Sequence, residues 1–194
     1  DYVKLMIYDL GGGTFDVSIG EFRSGDNILD IKASSGDNEL GGKDFDRALV
    51  DLICDEFQKE HGIDLREDLE TNFRVMKEAE VVKKELSFSA STDLNLPFIT
   101  SKDGKPISYT QTITRKEFES IISEKIDDTA KAIQKALKDA KLKKDDIDMV
   151  LKKFVLFFVF SLRFLHFVII KSAIFFNFSR SFSPVKKIIF SFLY

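Results

Sequence analysis

The chain has 194 residues, 44% hydrophobic and 31% charged, with a formal net charge of −3. This composition is globular, and the length admits one domain or one and a fraction. The average hides two unlike parts. Residues 1–150 hold all 32 acidic residues against 22 of the 29 basic ones, a net −10; residues 151–194 hold 7 basic residues, no acid, no glycine and 12 of the 20 phenylalanines. A shift this sharp marks a boundary near Val150. The acidity of the first part argues against a nucleic-acid backbone as partner. Cys54 is the only cysteine, so no internal disulfide forms and a reducing compartment is the simpler reading. Cys54 itself reads as a packed helix residue. The first residues lie inside a strand-like run with no methionine and no signal-like segment, which reads as a chain lacking its beginning.

In chain order, Val3, Leu5 and Ile7 alternate with Lys4, Met6 and Tyr8, a strand with one well-buried face. Phe15, Val17 and Ile19 alternate with Asp16 and Ser18 and predict a second strand, paired with the first as a hairpin. Ile28 to Ala33 predicts a third strand. Phe45, Leu49, Leu52, Ile53 and Phe57 recur at helical spacing, with Asp44 as cap and Gly62 as stop. A second helix runs from about Glu67 to Leu86. Its apolar stripe is Val75, Ala79, Val82 and Leu86, and a neighbouring polar stripe is Glu80, Lys83 and Ser87. "TDLNLPFIT" and "PISYTQTIT" predict strands joined through Asp103-Gly104, and Pro97 makes the first an edge strand. Thr114 with Glu117 forms a capping box and opens a helix carrying Phe118, Ile121, Ile122, Ile126, Ile133 and Leu137. A further strand starts near Ile147. The order is mixed α/β, neither a repeat nor a bundle.

The first loop, "YDLGGGTFDVSIG", holds more glycine than a hairpin turn requires. Each extra glycine costs up to about 1 kcal/mol of backbone entropy. Without side chains, its amides can face a phosphate chain and donate to it. Thr14 adds a hydroxyl donor, Asp9 can hold a hydrated magnesium ion or orient a water, and Asp16 can help hold a second cation. The competing reading is a glycine-rich hairpin with Asp9 as turn former, and composition alone leaves the two equal. A Walker loop and a dinucleotide fingerprint are both excluded, because each needs a helix after the glycines and a strand follows here. For Glu80, Lys83 and Ser87 the plain reading is a solvated face with a Glu80–Lys83 ion pair worth a few tenths of a kcal/mol.

"DLGGGTFDVSI" closely resembles the second phosphate motif of the seventy-kilodalton heat-shock chaperones, the DnaK-like family. "GDNELGGKDFD", "QKEHGID", "EAEVVKKELS", "LNLPFIT" and "ALKDAKL" resemble further stretches of that family, and the likeness runs through residues 3 to 150. "LNLPFIT" leans toward its bacterial or organellar branch. The resemblance implies the second lobe of an actin-like ATPase domain: a ribonuclease H-like sheet subdomain (1–42 and 115–150) with an inserted α+β subdomain (43–114). It implies ATP or ADP with Mg2+, and K+ as a monovalent ion. Gly11, Gly12, Gly13 and Thr14 would contact the phosphates, with Asp9 and Thr14 catalytic and Asp9 and Asp16 at the metal ions. Glu80, Lys83 and Ser87 would face ribose and adenine, with Lys84 beside the base. Gly41 and Gly42 either line the cleft or release the helix start. Glu39 stands where relatives often carry histidine, which leaves any role there open. The implied partners are unfolded clients, a nucleotide exchange factor and a J-domain protein, with no nucleic acid and no membrane. The implied location is the cytoplasm, or a mitochondrial or plastid matrix.

After "DIDMV" the likeness stops. The family's glycine-rich adenosine loop does not follow, and the family's first lobe, peptide-binding domain and lid are not in the sequence. The chain alone is therefore expected to be inactive as an ATP hydrolase. Residues 151–194 read as translated non-coding sequence, from a retained intron, a frameshift or a misassembled gene. Rival readings are a membrane anchor over Phe154 to Ile170, weakened by Arg163 and His166, and a buried strand pair, weakened by the lack of turn residues. The alternative function is a non-catalytic fragment that binds nucleotide or an exchange-factor-like partner through residues 43–114.

Overall fold

A computed structural model describes residues 2–153. All three readings of the tail fall outside the described residues, save for its first three. Within the described residues the chain forms two compact units, 2–41 with 128–153, and 42–127. No helix among them is long and apolar enough to cross a membrane.

The first unit is built on a four-stranded sheet of order β3-β2-β1-β6, from β1 (Tyr2–Leu10), β2 (Phe15–Arg23), β3 (Ile28–Asp37) and β6 (Met149–Lys153). β1 and β2 pair antiparallel without a break from Tyr2↔Arg23 to Leu10↔Phe15, as the alternation predicts. β6 joins the other edge of β1 in parallel, from Leu5↔Met149 to Asp9↔Lys153. Two hydrogen bonds clip its entry: the Lys4 amide donates to Asp148 Oδ2 at 2.8 Å, and the Asp148 amide donates to Lys4 O at 2.9 Å.

The buried face of β1 carries Met6 and Tyr8, together with Phe15, Val17 and Ile19 of β2. On the opposite face Leu5 is buried, while Val3 and Ile7 are half-buried. Alternation separates the two faces of β1 but does not reveal which lies deeper, because that depends on what packs on each face. The Tyr8 ring lies 4.7 Å from that of Phe15, centroid to centroid. Burial pushes its phenol up to about 12, and the fully buried Thr129 side chain acts against that shift.

The second unit contains α1 (Gly42–His61), α2 (Leu69–Leu86), the hairpin β4 (Ser91–Lys102) and β5 (Lys105–Thr114), and α3 (Arg115–Ile121). Its core takes Phe45, Leu49, Ile53 and Phe57 from α1 and the predicted Val75, Ala79, Val82 and Leu86 from α2. Leu94, Leu96 and Ile99 of β4 and Ile113 of β5 join it. Each such Val, Leu, Ile or Phe side chain contributes about 1.5–3 kcal/mol of hydrophobic burial. Leu52, expected on the apolar stripe, is half-buried, and Val50 and Cys54 are buried beside the stripe instead. α1 starts at Gly42, so Asp44 is not the cap; it sits in the first turn, 3.2 Å from Arg47. Gly62 does stop the helix, at φ 72°, its amide donating to Gln58 O. Asp68 caps α2 by accepting from the Thr71 amide.

Asp103 and Gly104 both have positive φ, as a tight hairpin turn demands. Pro97 falls where the β4–β5 register shifts, between Leu96 and Thr100, on a two-stranded sheet that has only edges. The Arg74 guanidinium braces that irregular stretch by donating to the Pro97 and Phe98 carbonyls.

The capping box of Thr114 and Glu117 is present. The helix it opens is not continuous. It ends at Ile121, Ile122 takes φ −96° and ψ −2°, and α4 (Ser123–Asp139) begins beyond. The break turns the chain so that Ile122 and Ile126 are both fully buried, and α4 then passes from the second unit into the first, where Thr129 meets Tyr8. Ile133 and Leu137 are only half-buried. No glycine or proline marks the break, so periodicity alone reads through it.

Two outcomes follow from this packing. Thr114→Ala removes the side-chain acceptor of the capping box and should lower unfolding free energy in urea by about 1 kcal/mol. Tyr8 keeps its proton in the folded chain up to about pH 12, against an ordinary value of 10. The stability this gives is complete below pH 10 and is lost as pH climbs from 10 through 12. Tyr8→Phe should therefore flatten this part of the alkaline decline, read as denaturation midpoint against pH.

Candidate functional site

In the first unit the sheet register places Asp9, next to last in β1, directly opposite Asp16, the second residue of β2. Between them the Gly11 amide donates to Thr14 O at 2.8 Å and closes a four-residue loop. Gly12, Gly13 and Thr14 are exposed, and a Cβ on Gly12 or Gly13 would meet nothing within 4 Å. Bare backbone thus faces open space at the end of a rigid hairpin. Asp16 is exposed; Asp9 is half-buried, with its Oδ1 shielded from solvent. Like charges directly opposite on neighbouring strands destabilise a sheet, and a cation held at them removes that cost. Among the described residues no group of three or more His, Cys, Asp or Glu side chains could hold a metal ion. Two carboxylates with a threonine hydroxyl and bare amides suit a hydrated cation that travels with phosphates.

Two further glycines support this end of the hairpin. Gly36 of β3 lies opposite Asp16, and a Cβ there would come within 2.4 Å of Phe15 O and 2.8 Å of Asp16 Oδ1. Gly41 is buried, and a Cβ there would lie 2.5 Å from Gly13 N. Of the two glycines before the helix, Gly41 packs on the loop and Gly42 begins α1. Glu39 is exposed in the connecting turn, its amide donating to Asp37 Oδ1 at 2.8 Å.

In the second unit Glu80, Lys83 and Lys84 lie on the last turns of α2, and Ser87 is its C-terminal cap. The ion pair expected between Glu80 and Lys83 is not formed. Glu80 pairs with Lys84 at 2.7 Å, at i,i+4 spacing on an exposed face, and the Lys84 ammonium holds the Glu80 carboxyl below its ordinary range. Lys83 instead lies 2.7 Å from Asp46 Oδ1 of α1 and donates to Gly42 O at 3.3 Å. Only 16% of the Lys83 side chain and 17% of that of Asp46 are exposed. Burial pushes the Asp46 carboxyl up, and the Lys83 ammonium works against that shift. Ser87 Oγ donates to Lys83 O at 3.3 Å. The Arg115 guanidinium donates to the Leu86 and Ser87 carbonyls at 2.8 and 3.3 Å, closing the end of α2.

Asp46, Gly36 and Arg115 carry weight that sequence reasoning missed. Asp46 sits in the quoted "GGKDFD", but nothing in its spacing announces a partner 37 positions later. Gly36 shows only as a glycine late in a strand, which is a signal for close backbone approach.

A sheet with a glycine hairpin loop, and a helical and hairpin unit inserted after its third strand, is the mixed α/β arrangement of an actin-like ATPase domain. The Hsp70 protein family matches residues 2–152, and this chain belongs to that family. It is similar to the chaperone protein DnaK of Thermosipho africanus, 46% identical over 148 residues, which are 76% of this chain and 24% of the relative. To DnaK of Thermotoga neapolitana it is 48% identical over 149 residues, 76% of this chain and 25% of the relative. DnaK of Thermotoga maritima gives 47% over the same length and the same shares. The chain thus spans about a quarter of the length of these relatives.

Removing Asp46 leaves a mostly buried ammonium with only a carbonyl acceptor. Asp46→Ala should cost about 1.5–3 kcal/mol, in the range of hydrogen bonds to charged groups. A double-mutant cycle with Lys83→Ala, read by urea denaturation, should return a favourable coupling of at least about 0.5 kcal/mol.

Proposed function

We propose that the chain is the phosphate-side part of the nucleotide-binding domain of an ATP-dependent molecular chaperone. The resemblance implies residues 1–42 and 115–150 as its sheet subdomain and 43–114 as the inserted one, whereas packing groups residues 115–127 with the inserted unit. The observation that carries the reading is the facing pair Asp9 and Asp16 beside a loop of open backbone. Family membership chooses the chaperone over other phosphate-binding uses of the same fold.

The amides of Gly11, Gly12 and Gly13 and the Thr14 hydroxyl donate to the β- and γ-phosphate oxygens. Asp9 orients the water that attacks the γ-phosphorus. The bond to the β–γ bridging oxygen breaks, and ADP and inorganic phosphate result. Asp9 and Asp16 would hold Mg2+ and K+, which supply positive charge against the charge developing on the phosphates. Glu80, Lys83, Lys84 and Ser87 take the ribose and adenine, with Asp46 holding Lys83. In the whole protein, hydrolysis drives cycles of binding to unfolded clients in the cytoplasm, aided by a J-domain protein and an exchange factor. A second reading, a fragment that only binds a partner, is favoured by the compactness of residues 42–127 with their own core.

In full-length Thermotoga maritima DnaK, replacement of the residues matching Asp9 by Asn or Thr14 by Val should slow single-turnover ATP hydrolysis about 10²–10³-fold. ADP affinity should change far less, because both groups act where charge develops. Unchanged single-turnover rates remove the assigned roles. The polypeptide 1–194 expressed alone should show no magnesium-dependent turnover near that of DnaK, since phosphoryl transfer needs groups from several sides. Its soluble yield should rise on truncation to 1–150, because the removed segment carries 12 phenylalanines and no acid. Turnover by the 194-residue chain at the level of DnaK contradicts this reading of the tail.

A further inference from the structure

We propose that Gly41 is a positioning residue whose missing side chain seats the glycine loop. This rests on the reading of that loop as a phosphate site. Gly41 is buried at the exit from β3, one residue before α1. A Cβ built on it would stand 2.5 Å from Gly13 N, 2.6 Å from Gly13 Cα and 2.7 Å from Gly12 C. These distances lie well inside van der Waals contact, and each of the three atoms is backbone of the loop. No flexible side chain is available to give way, so a methyl group at position 41 must displace the Gly12–Gly13 peptide itself.

On its other side the loop has no comparable restraint. Nothing lies within 4 Å of a Cβ on Gly12 or Gly13, and the Gly11 amide donates to Thr14 O across the loop. The Gly12–Gly13 peptide therefore rests on the Gly41 backbone from below and is open above. Its tilt decides where the Gly13 N–H points. A donor group gains little from being near an oxyanion unless it is aimed at it. Gly41 acts through Gly12 and Gly13 and touches no reacting atom, in contrast to Thr14. Its effect belongs to the phosphate half of a nucleotide. The nucleoside half is read by α2 residues, whose helix is fixed by Asp46 and Arg115.

The test uses the full 194-residue chain with Gly41→Ala, Gly41→Ser and the control Gly25→Ala. Gly25 is exposed in the β2–β3 turn, and a Cβ there meets nothing within 4 Å. Without nucleotide, Gly41→Ala should speed hydrogen exchange of the Gly11 amide at least about fivefold and shift the Gly13 amide resonance; Gly25→Ala should do neither. By calorimetry, Mg·ADP should bind Gly41→Ala about ten- to a hundredfold more weakly, and Gly41→Ser more weakly still, with adenosine affinity within about twofold of the unmodified chain. Unaltered exchange and ADP affinity in Gly41→Ala overturn the proposal, as does a parallel loss of adenosine affinity. Should the variants not fold, the unmodified chain decides: a nuclear Overhauser contact between Gly41 Hα and the Gly13 amide supports the seat, and its absence overturns it. If the unmodified chain binds neither ADP nor adenosine, the nucleotide reading falls, while exchange and the Overhauser contact still decide the seat.

Discussion

The β1–β2 ladder is the constraint on which the rest depends. Nine successive residue pairs run from Tyr2↔Arg23 to Leu10↔Phe15 with no bulge. Side chains alternate with a period of two, so a slip of one residue would exchange the two faces of both strands. The register held here stacks Met6 and Tyr8 with Val17 and Ile19 on one face and sets Asp9 against Asp16 on the other. The same pairing that buries the core therefore forces two carboxylates together at the sheet end. β6 adds to β1 only because β1 offers its second edge, and the reciprocal bonds between Lys4 and Asp148 set where that parallel pairing begins.

The loop end of this hairpin is shaped by missing side chains more than by present ones. Gly36 lets the Asp16 carboxylate lie across β3, and Gly41 lets the chain leaving β3 pass directly under the loop. Each glycine costs backbone entropy, and the close approach it allows is the compensation. Rigidity comes from the strands on either side, which leave the loop only four residues to span. A short loop between paired strands keeps its donors in place before any ligand arrives, which is the condition for electrostatic preorganisation.

The inserted unit achieves order by another route. Three of its chain ends and irregular points are tied by a basic side chain to backbone carbonyls: Arg74 at the shifted register of β4, Lys102 at His61 O on the last residue of α1, and Arg115 at the end of α2. A cation satisfies otherwise idle carbonyls and interacts well with the negative end of a helix. Lys83 differs in having a carboxylate partner from another helix, so it locks α1 to α2 as well as presenting an ammonium. Burial raises the Asp46 pKa, which makes this pair more costly to form and also more directional than a surface pair.

The elements were legible because local rules are strong where they are local. Alternation specified β1, β2 and the hairpin between them, and the 3.6-residue stripe specified α1 and α2. Asp103-Gly104, Gly62 and the Thr114–Glu117 box marked their turns and caps, because each requires a particular backbone angle or acceptor. The glycine excess around Gly12 and the likeness to a family pointed to the loop as the place of interest. What stayed hidden was everything that depends on a distant neighbour. Which face of β1 lies deeper depends on what packs on each face, and Met6 and Tyr8 prove the more buried side. The break at Ile122 is signalled by nothing local, with no glycine or proline beside it. Lys83 meets Asp46 rather than Glu80 because α1 packs beside α2 and brings that carboxylate to it, while Glu80 on the exposed face pairs with Lys84. Gly41 took its meaning from Gly13, 28 residues earlier in the chain. Periodicity and turn chemistry act over a few residues, so the sequence could name the elements and their loop; contact between remote residues needs the folded chain, so only the tertiary structure decided their partners.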